Sequence, residues 1–131
     1  MIASLLSDRE AQSVGDVFEE AGKAIRFLGE RSVQDLSDDE VVFYAVEAVE
    51  RAMMNVSEAC IRIEKSAYAG RFEALFPDFA FDDLRRTGNF IRHAYDDRRV
   101  DEAWQTVKTV MPALRDRAEA LLAAHRRLRG G

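Results

Sequence analysis

Apolar side chains recur every three or four residues along most of the chain, whereas the strict alternation expected of a β-strand is absent. This spacing predicts four long amphipathic helices joined by short polar segments. The apolar positions of the first two helices are Val14, Phe18, Ala21, Ile25 and Leu28, followed by Val42, Ala45, Val49, Ala52, Val56, Ala59 and Ile63. Those of the last two are Phe81, Leu84, Gly88, Ile91 and Tyr95, followed by Trp104, Val107, Met111, Leu114, Ala118 and Leu121. We therefore expect an all-α fold, an antiparallel bundle of four to five helices.

Local signals place the ends of these helices. Ser7-Asp8-Arg9-Glu10 and Ser37-Asp38-Asp39-Glu40 both have the spacing of a capping box, in which a serine and a glutamate satisfy the first backbone N–H groups of a helix. The second helix is expected to end near Gly70, and the third to span about residues 80–94. Pro112 lies inside the fourth helix and predicts a kinked C-terminal helix, because proline lacks the N–H that a helix interior uses.

Length and composition favour one ordinary domain. The chain has 131 residues, 47% of them hydrophobic, and we expect a single helical domain over residues 1–131 with a core over about 7–125 and a frayed tail over 126–131. No uncharged stretch exceeds residues 1–7, which argues against a membrane-spanning helix and a secretory signal. The lone Cys60 cannot form an internal disulfide, and the chain has too few cysteines for the common zinc sites. We therefore expect a cytoplasmic protein with no membrane partner.

The charge is distributed unevenly. The formal net charge is −5, but residues 1–70 hold 7 Lys/Arg against 14 Asp/Glu, whereas residues 71–131 hold 12 against 10, and 11 of those 12 bases are arginine. A nucleic-acid-binding domain is usually basic as a whole, so the overall charge does not predict one. A local arginine site remains possible, because the guanidinium fork suits phosphate.

One face of the third helix carries polar side chains opposite its apolar positions. The residues of this face are Asp82, Arg86, Asn89 and His93. Two arginines flank it, Arg85 and Arg92. His93 is the only one whose ordinary pKa lies near neutrality, so it can give or take a proton. Arginines beside it can hold a phosphate and stabilise the charge of a transition state. These groups are sufficient for cleavage of an RNA phosphodiester with no metal and no cofactor.

A simpler interpretation of the same face stays open. A solvated helix face is often charged, and Asp82 and Arg86 have the spacing of an ordinary i,i+4 ion pair. His125 continues the apolar positions of the last helix, so we interpret it as structural. Cys60 and Met53 are interpreted as core residues.

The sequence also resembles a known family, the HepT-like branch of the HEPN domains. The resemblance extends over about residues 14–118, in an ordered series of short strings. The strings are Asp16-Val17-Phe18-Glu19-Glu20-Ala21, Tyr44-Ala45-Val46-Glu47, Ser57-Glu58-Ala59, Phe76-Pro77, Gly88-Asn89-Phe90-Ile91-Arg92-His93-Ala94-Tyr95-Asp96, Trp104-Gln105-Thr106-Val107 and Met111-Pro112-Ala113-Leu114.

This resemblance implies a helical bundle that forms a homodimer and brings two Arg-x4–6-His motifs into one ribonuclease site. It also implies a toxin of a bacterial toxin–antitoxin system, paired with a small nucleotidyltransferase of the MNT type as antitoxin. That partner would silence the toxin by transferring AMP to the tyrosine of the His-x-Tyr motif, which is Tyr95 in this chain.

The chain departs from its relatives at one position. Many of them carry arginine directly before the asparagine, where this chain has Gly88. Arg86 still fits the looser spacing, since six residues separate it from His93, whereas Arg85 lies one residue outside that window and Arg92 adjoins the histidine. Arg86 is our first choice, and the identity of the catalytic arginine stays open.

Two functions of different classes follow. The first is a toxin endoribonuclease in which His93 transfers protons, Arg86 stabilises the transition state, Asn89 orients the phosphate or the His93 ring, and Tyr95 is the AMPylation site. Arg85 and Arg92 are further candidates for binding phosphate or RNA. The alternative is a non-catalytic helical module that docks a nucleotidyltransferase or a nucleotide.

Overall fold

A computed structural model describes residues 6–29, 40–92 and 105–130 of the chain, with side chains throughout these ranges except at 40–46 and 87–92. Nearly all of these residues are helical, and no strand occurs among them, which confirms the all-α prediction. The helices are α1 (Asp8–Leu28), α2 (Glu40–Glu64), α3 (Arg71–Leu75), α4 (Phe81–Arg92) and α5 (Met111–Gly130). Residues 105–109 are also helical and lead into α5 through a turn at Val110.

Helix α1 begins as the sequence predicts. The Ser7 hydroxyl accepts a hydrogen bond from the Glu10 N–H at 3.1 Å, and the Glu10 carboxylate accepts one from the Ser7 N–H at 3.0 Å. This is a complete capping box, which satisfies N–H groups that have no partner within the helix. The helix ends at Gly29, whose φ of 56° few other residues adopt without strain. The second predicted capping box, at residues 37–40, begins outside the described residues.

Helix α2 is the centre of the bundle. It contacts α1, α3 and α4, whereas α5 packs against α1. The predicted apolar face of α2, where its side chains are described, is buried: Val49, Ala52, Met53, Val56, Ala59, Cys60 and Ile63. A helix that buries so wide a face must be covered from more than one side. The prediction of a central second helix is therefore confirmed.

The end of α2 differs from the sequence prediction. The helix ends at Glu64 and not near Gly70, because the Glu64 carboxylate turns to cap the next helix. It accepts hydrogen bonds from the N–H groups of Gly70 at 2.8 Å and Phe72 at 3.0 Å. Gly70 precedes the five-residue α3 with a φ of 94°, a left-handed conformation that favours glycine. The sequence pattern did not reveal α3, since five residues are too few to show helical periodicity.

Helix α3 adds aromatic residues to the core. Phe72 and Phe76 are fully buried and stack with their ring centroids 4.9 Å apart. Phe81, the first residue of α4, packs against Phe72 with a centroid distance of 5.8 Å. Burying one such ring contributes roughly 1.5–3 kcal/mol. This aromatic contact holds the beginning of α4 against the core.

The C-terminal helix is interrupted where the sequence predicts a kink. The turn at Val110 precedes Pro112, which occupies the first turn of α5, where its missing N–H leaves no hydrogen bond unmade. The prediction of a frayed tail is wrong for residues 126–130, which continue α5. Arg129 holds this end by pairing with Asp8 at 3.0 Å.

His125 is a structural residue, as the sequence suggested. It is buried, and its Nδ1 accepts a hydrogen bond from the Leu6 N–H at 3.2 Å. This contact joins the end of α5 to the residues that precede α1. None of the helices described is both long enough and apolar enough to cross a membrane.

Candidate functional site

Helix α4, which corresponds to the third helix predicted from the sequence, presents a charged face to solvent. Leu84 is buried with 4% of its surface exposed, and it points into the core. Asp82, Asp83, Arg85 and Arg86 are all exposed. Because successive residues of an α-helix are rotated by about 100°, Arg86 lies almost opposite Leu84. The predicted orientation of the polar face is thus confirmed for its described members.

The ion pairs on this face differ from the predicted one. Arg86 Nη2 lies 2.6 Å from Asp83 Oδ1, and Arg85 Nη2 lies 3.3 Å from Asp82 Oδ1. The Asp82–Arg86 pair that the simpler interpretation suggested does not form, and both pairs have i,i+3 spacing. With i,i+3 spacing, both arginines find a partner. An i,i+4 pair between Asp82 and Arg86 would leave Asp83 and Arg85 two residues apart, a spacing at which side chains do not face each other.

These pairs leave the guanidinium groups accessible. The Arg86 and Asp83 side chains are 68% and 66% exposed, and those of Arg85 and Asp82 are 51% and 70% exposed. A solvent-exposed ion pair contributes only about 0–1 kcal/mol. A phosphate, which accepts two parallel hydrogen bonds from one guanidinium, can therefore displace either carboxylate.

The other predicted site residues are described only in part. Asn89 and Arg92 lie on α4, three and six residues after Arg86, which is about 4.5 and 9 Å along the helix axis. Their side chains are not among those described, and His93 and Tyr95 lie outside the described residues. The predicted roles of these four residues stay predictions.

A buried charged cluster was missed by the sequence analysis. Glu10 is buried, and its carboxylate accepts hydrogen bonds from Arg71 Nε at 2.5 Å and Arg71 Nη2 at 3.0 Å. The Ser66 hydroxyl donates to the same carboxylate at 2.9 Å. The Arg71 hydrogen bonds lower the pKa of Glu10 to about 2, against the opposing effect of burial, with help from Ser7 and Ser66.

Only half of this cluster had a sequence signal. Glu10 fits the capping box, but nothing in the spacing connects it with Arg71, which is 61 residues further along the chain. The cluster joins α1 to α3 as a structural contact.

Metal-binding and thiol chemistry find no support in the parts of the chain that are described. Within residues 6–29, 40–92 and 105–130, no three His, Cys, Asp or Glu side chains are grouped so that they could hold a metal ion. Cys60 is buried in the core, as predicted, and burial raises the pKa of its thiol. A thiol that stays protonated is a poor nucleophile.

Comparison with known proteins gives one match. The model of a family described as ribonuclease HepT-like matches residues 17–121, a segment that includes α2, α3 and α4 as well as the predicted site residues. Neither the curated proteins nor the solved structures contain a match. The match covers most of the chain, and its segment includes most of the bundle and the exposed arginine face of α4. This chain is a member of the ribonuclease HepT-like family.

Proposed function

We propose that this chain is a toxin endoribonuclease that cleaves RNA without a metal ion. The observation that carries the proposal is the exposed face of α4, where Arg86 and Arg85 stand opposite the buried Leu84. Among the described residues, each arginine is held by a surface ion pair, which an RNA phosphate can replace at little cost. The residues that match the ribonuclease HepT-like family model include this helix.

The chemistry needs one base, one acid and one cation. In the proposed reaction His93 takes the proton of a ribose 2′-OH, whose oxygen attacks the adjacent phosphorus. The bond from phosphorus to the 5′-oxygen breaks, and that oxygen takes a proton from a second imidazole, which leaves a 2′,3′-cyclic phosphate and a 5′-OH. Arg86 stabilises the negative charge that builds up on the phosphorane, and Asn89 orients the phosphate or the His93 ring.

This reaction requires a homodimer. One chain supplies a single His93, whereas the reaction uses one imidazole as base and another as acid. A two-fold axis close to the exposed face of α4 would bring both copies of His93 to one phosphate. Light scattering at micromolar concentration is expected to give twice the mass of the chain, and a strict monomer that still cleaves RNA would overturn the composite site.

The proposed control of this activity acts through Tyr95. A partner nucleotidyltransferase of the MNT type would join the Tyr95 oxygen to the α-phosphate of ATP and release pyrophosphate. The added AMP brings a negative charge and a purine close in sequence to His93 and Arg92, where it would compete with RNA for the arginines. Intact-mass analysis after co-expression is expected to show the adduct on the wild type and not on Tyr95→Phe.

A cleavage assay in EDTA tests the proposal. His93→Ala is expected to lose at least about a hundredfold in rate, which is typical when a proton-transfer group is removed. Arg51→Gln, an exposed change on α2, serves as the control and is expected to cleave as the wild type does. Undiminished cleavage by His93→Ala, or cleavage that requires magnesium, would overturn the mechanism.

Growth after expression separates this function from the alternative of a docking module. A toxin expressed without its partner is expected to arrest growth, and His93→Ala is expected to relieve the arrest. A wild-type chain that neither arrests growth nor cleaves RNA would favour the non-catalytic module, which the departure at Gly88 also favours.

A further inference from the structure

A groove between α1 and the end of α2 lies on a part of the chain to which the proposed ribonuclease assigns no role. It encloses about 550 Å³, which is room for a phosphate group and part of a nucleotide. The side chains on its walls that matter here are Arg9, Ser13, Asp16, Arg62, Lys65 and Ser66.

The groove is positively charged within an acidic half of the chain. Arg9, Arg62 and Lys65 face it against the single carboxylate of Asp16, which gives a local net charge of +2. Residues 1–70 contain only seven Lys and Arg against fourteen Asp and Glu, so this one groove collects three of the seven bases. Such a concentration of like charge favours an anion.

The described carboxylates neutralise little of this charge. Arg62 pairs with Asp16 at 2.8 Å, but both side chains are about half exposed, so the pair is weak. Among residues 6–29, 40–92 and 105–130, neither Arg9 nor Lys65 has a carboxylate within ion-pair distance.

Helix stability explains only part of this arrangement. Arg62 and Lys65 lie at the C-terminal end of α2, where a positive charge interacts favourably with the helix dipole. Arg9 lies in the first turn of α1, where a positive charge is unfavourable. The helix dipole therefore does not account for the position of Arg9.

A buried hydroxyl that also lines the groove has no partner among the described residues. Ser13 is only 4% exposed, and its hydroxyl has no hydrogen bond to any described residue. Buried polar groups are nearly always hydrogen-bonded in native proteins, to the protein or to something bound. A phosphate oxygen in the groove would accept a hydrogen bond from this hydroxyl.

The neighbouring acid does not repel an anion. Glu10 lies next to the groove, but the two hydrogen bonds from Arg71 balance its charge. The single hydrogen of the Ser66 hydroxyl is shared between the Glu10 carboxylate and the Ile63 carbonyl, so Ser66 offers the ligand no donor. The remaining side-chain donors on the groove walls are Arg9, Gln12, Ser13, Arg62 and Lys65.

We propose that this groove binds a phosphoryl group by means of Arg9, Arg62, Lys65 and the Ser13 hydroxyl. An RNA backbone phosphate and the phosphate of a free nucleotide share the chemistry that these donors recognise. Phosphoryl binding in the groove does not depend on the proposed ribonuclease function. Only RNA, as one source of the phosphoryl group, rests on that function.

The chain offers a matched control groove between the same two helices. It encloses about 360 Å³ and is lined by Glu20, Lys23, Glu47 and Arg51, two acids against two bases, together with apolar residues. Removing two positive charges from either groove changes the net charge of the protein equally. Any difference between the two double variants therefore reports a site and not bulk charge.

Binding to the full chain tests the proposal. A labelled 2′-O-methyl RNA, which lacks the attacking hydroxyl and cannot be cleaved, is followed by fluorescence anisotropy, and AMP and inorganic phosphate are followed by calorimetry. Arg62→Gln with Lys65→Gln is expected to weaken RNA binding about tenfold and to lower the salt slope by about 1.4, which is two single-strand phosphate contacts. Lys23→Gln with Arg51→Gln is expected to bind as the wild type does.

Each outcome decides the question. If Arg62→Gln with Lys65→Gln weakens RNA binding and the control double variant does not, the groove binds a backbone phosphate of RNA. If the same groove variant weakens only the binding of AMP and inorganic phosphate, the groove binds a free nucleotide. Equal effects in both double variants would overturn the site. Because no turnover is needed, a wild type that binds through the groove and cleaves nothing would overturn the ribonuclease proposal alone.

Ser13→Ala separates a ligand-binding hydroxyl from a structural one. Phosphate or RNA binding is expected to weaken severalfold, whereas the melting temperature is expected to stay the same or rise, because alanine favours the helix and leaves no buried hydroxyl. A lower melting temperature with unchanged binding would show that the hydroxyl is structural and would contradict its assigned role.

Discussion

Arginine–carboxylate pairs occur in two contrasting regions of this molecule. In the cluster between α1 and α3, the Arg71 and Glu10 side chains are 18% and 6% exposed, and two hydrogen bonds join them. On α4, the Arg86 and Asp83 side chains are 68% and 66% exposed, and a single hydrogen bond joins them at 2.6 Å. The two arginines have the same chemistry and differ in what surrounds them.

This difference separates a structural arginine from one that can bind substrate. Breaking a buried pair leaves a charge without its partner and costs several kcal/mol, whereas an exposed pair contributes at most about 1 kcal/mol. Arg71 is therefore committed to the fold. Arg86 can exchange its carboxylate for a phosphate at little cost, so stability and activity should depend on different arginines.

The largest expected effect is on stability. Glu10→Ala removes the partner of Arg71 and the acceptor for the Ser7 N–H, and we expect the free energy of unfolding to fall by about 4 kcal/mol. Urea titration at a fixed protein concentration measures it. Glu19→Ala, an exposed change on the same helix, is the control and should cost less than about 0.5 kcal/mol. Equal losses in both variants would show that the cluster stabilises nothing.

The pH dependence of stability sharpens the comparison. The pKa of Glu10 is about 2 in the folded protein against an ordinary value of 4.5, so its ionised form stabilises the fold fully above pH 4.5. This stabilisation is lost as the pH falls from 4.5 to about 2. The stability difference between wild type and Glu10→Gln is expected to shrink by about 3 kcal/mol across that window. A difference that stays constant with pH would contradict the assignment.

The smallest expected effect is on the exposed pairs. Arg86→Gln and Arg85→Gln each remove one surface pair on α4, and glutamine is a good helix former. We expect the free energy of unfolding to change by less than about 0.5 kcal/mol in each variant, as measured by the same urea titration. A loss comparable to that of Glu10→Ala would mean that α4 depends on these pairs and that they are not free for substrate.

The sequence predicts local features of this fold well and distant ones poorly. The capping box of α1, the buried face of α2 and the break before Pro112 all depend on residues a few positions apart, so their spacing is visible in the sequence. Helix α3 and the Arg71–Glu10 contact depend on how α2 ends and on which helices meet. No local spacing encodes such a meeting.

The candidate site shows the same division. Helical period alone places Arg86 on the exposed face opposite Leu84, and the structure agrees. Its partner depends on how four adjacent charges share two pairs, and the i,i+4 spacing to Asp82 did not indicate that Asp83 is the partner. The groove at Ser13 was not predicted, because its walls come from two helices that are far apart in the chain.

RNA cleavage by Arg86→Gln tests the central claim most directly. Its rate in EDTA, measured beside Arg51→Gln at a temperature where both variants are fully folded, reports the catalytic contribution of the exposed arginine. We expect Arg86→Gln to lose about a hundredfold or more in rate with an unchanged melting temperature, as is typical when a group that stabilises a transition-state charge is removed. Cleavage at the wild-type rate would contradict the claim that Arg86 stabilises the transition state.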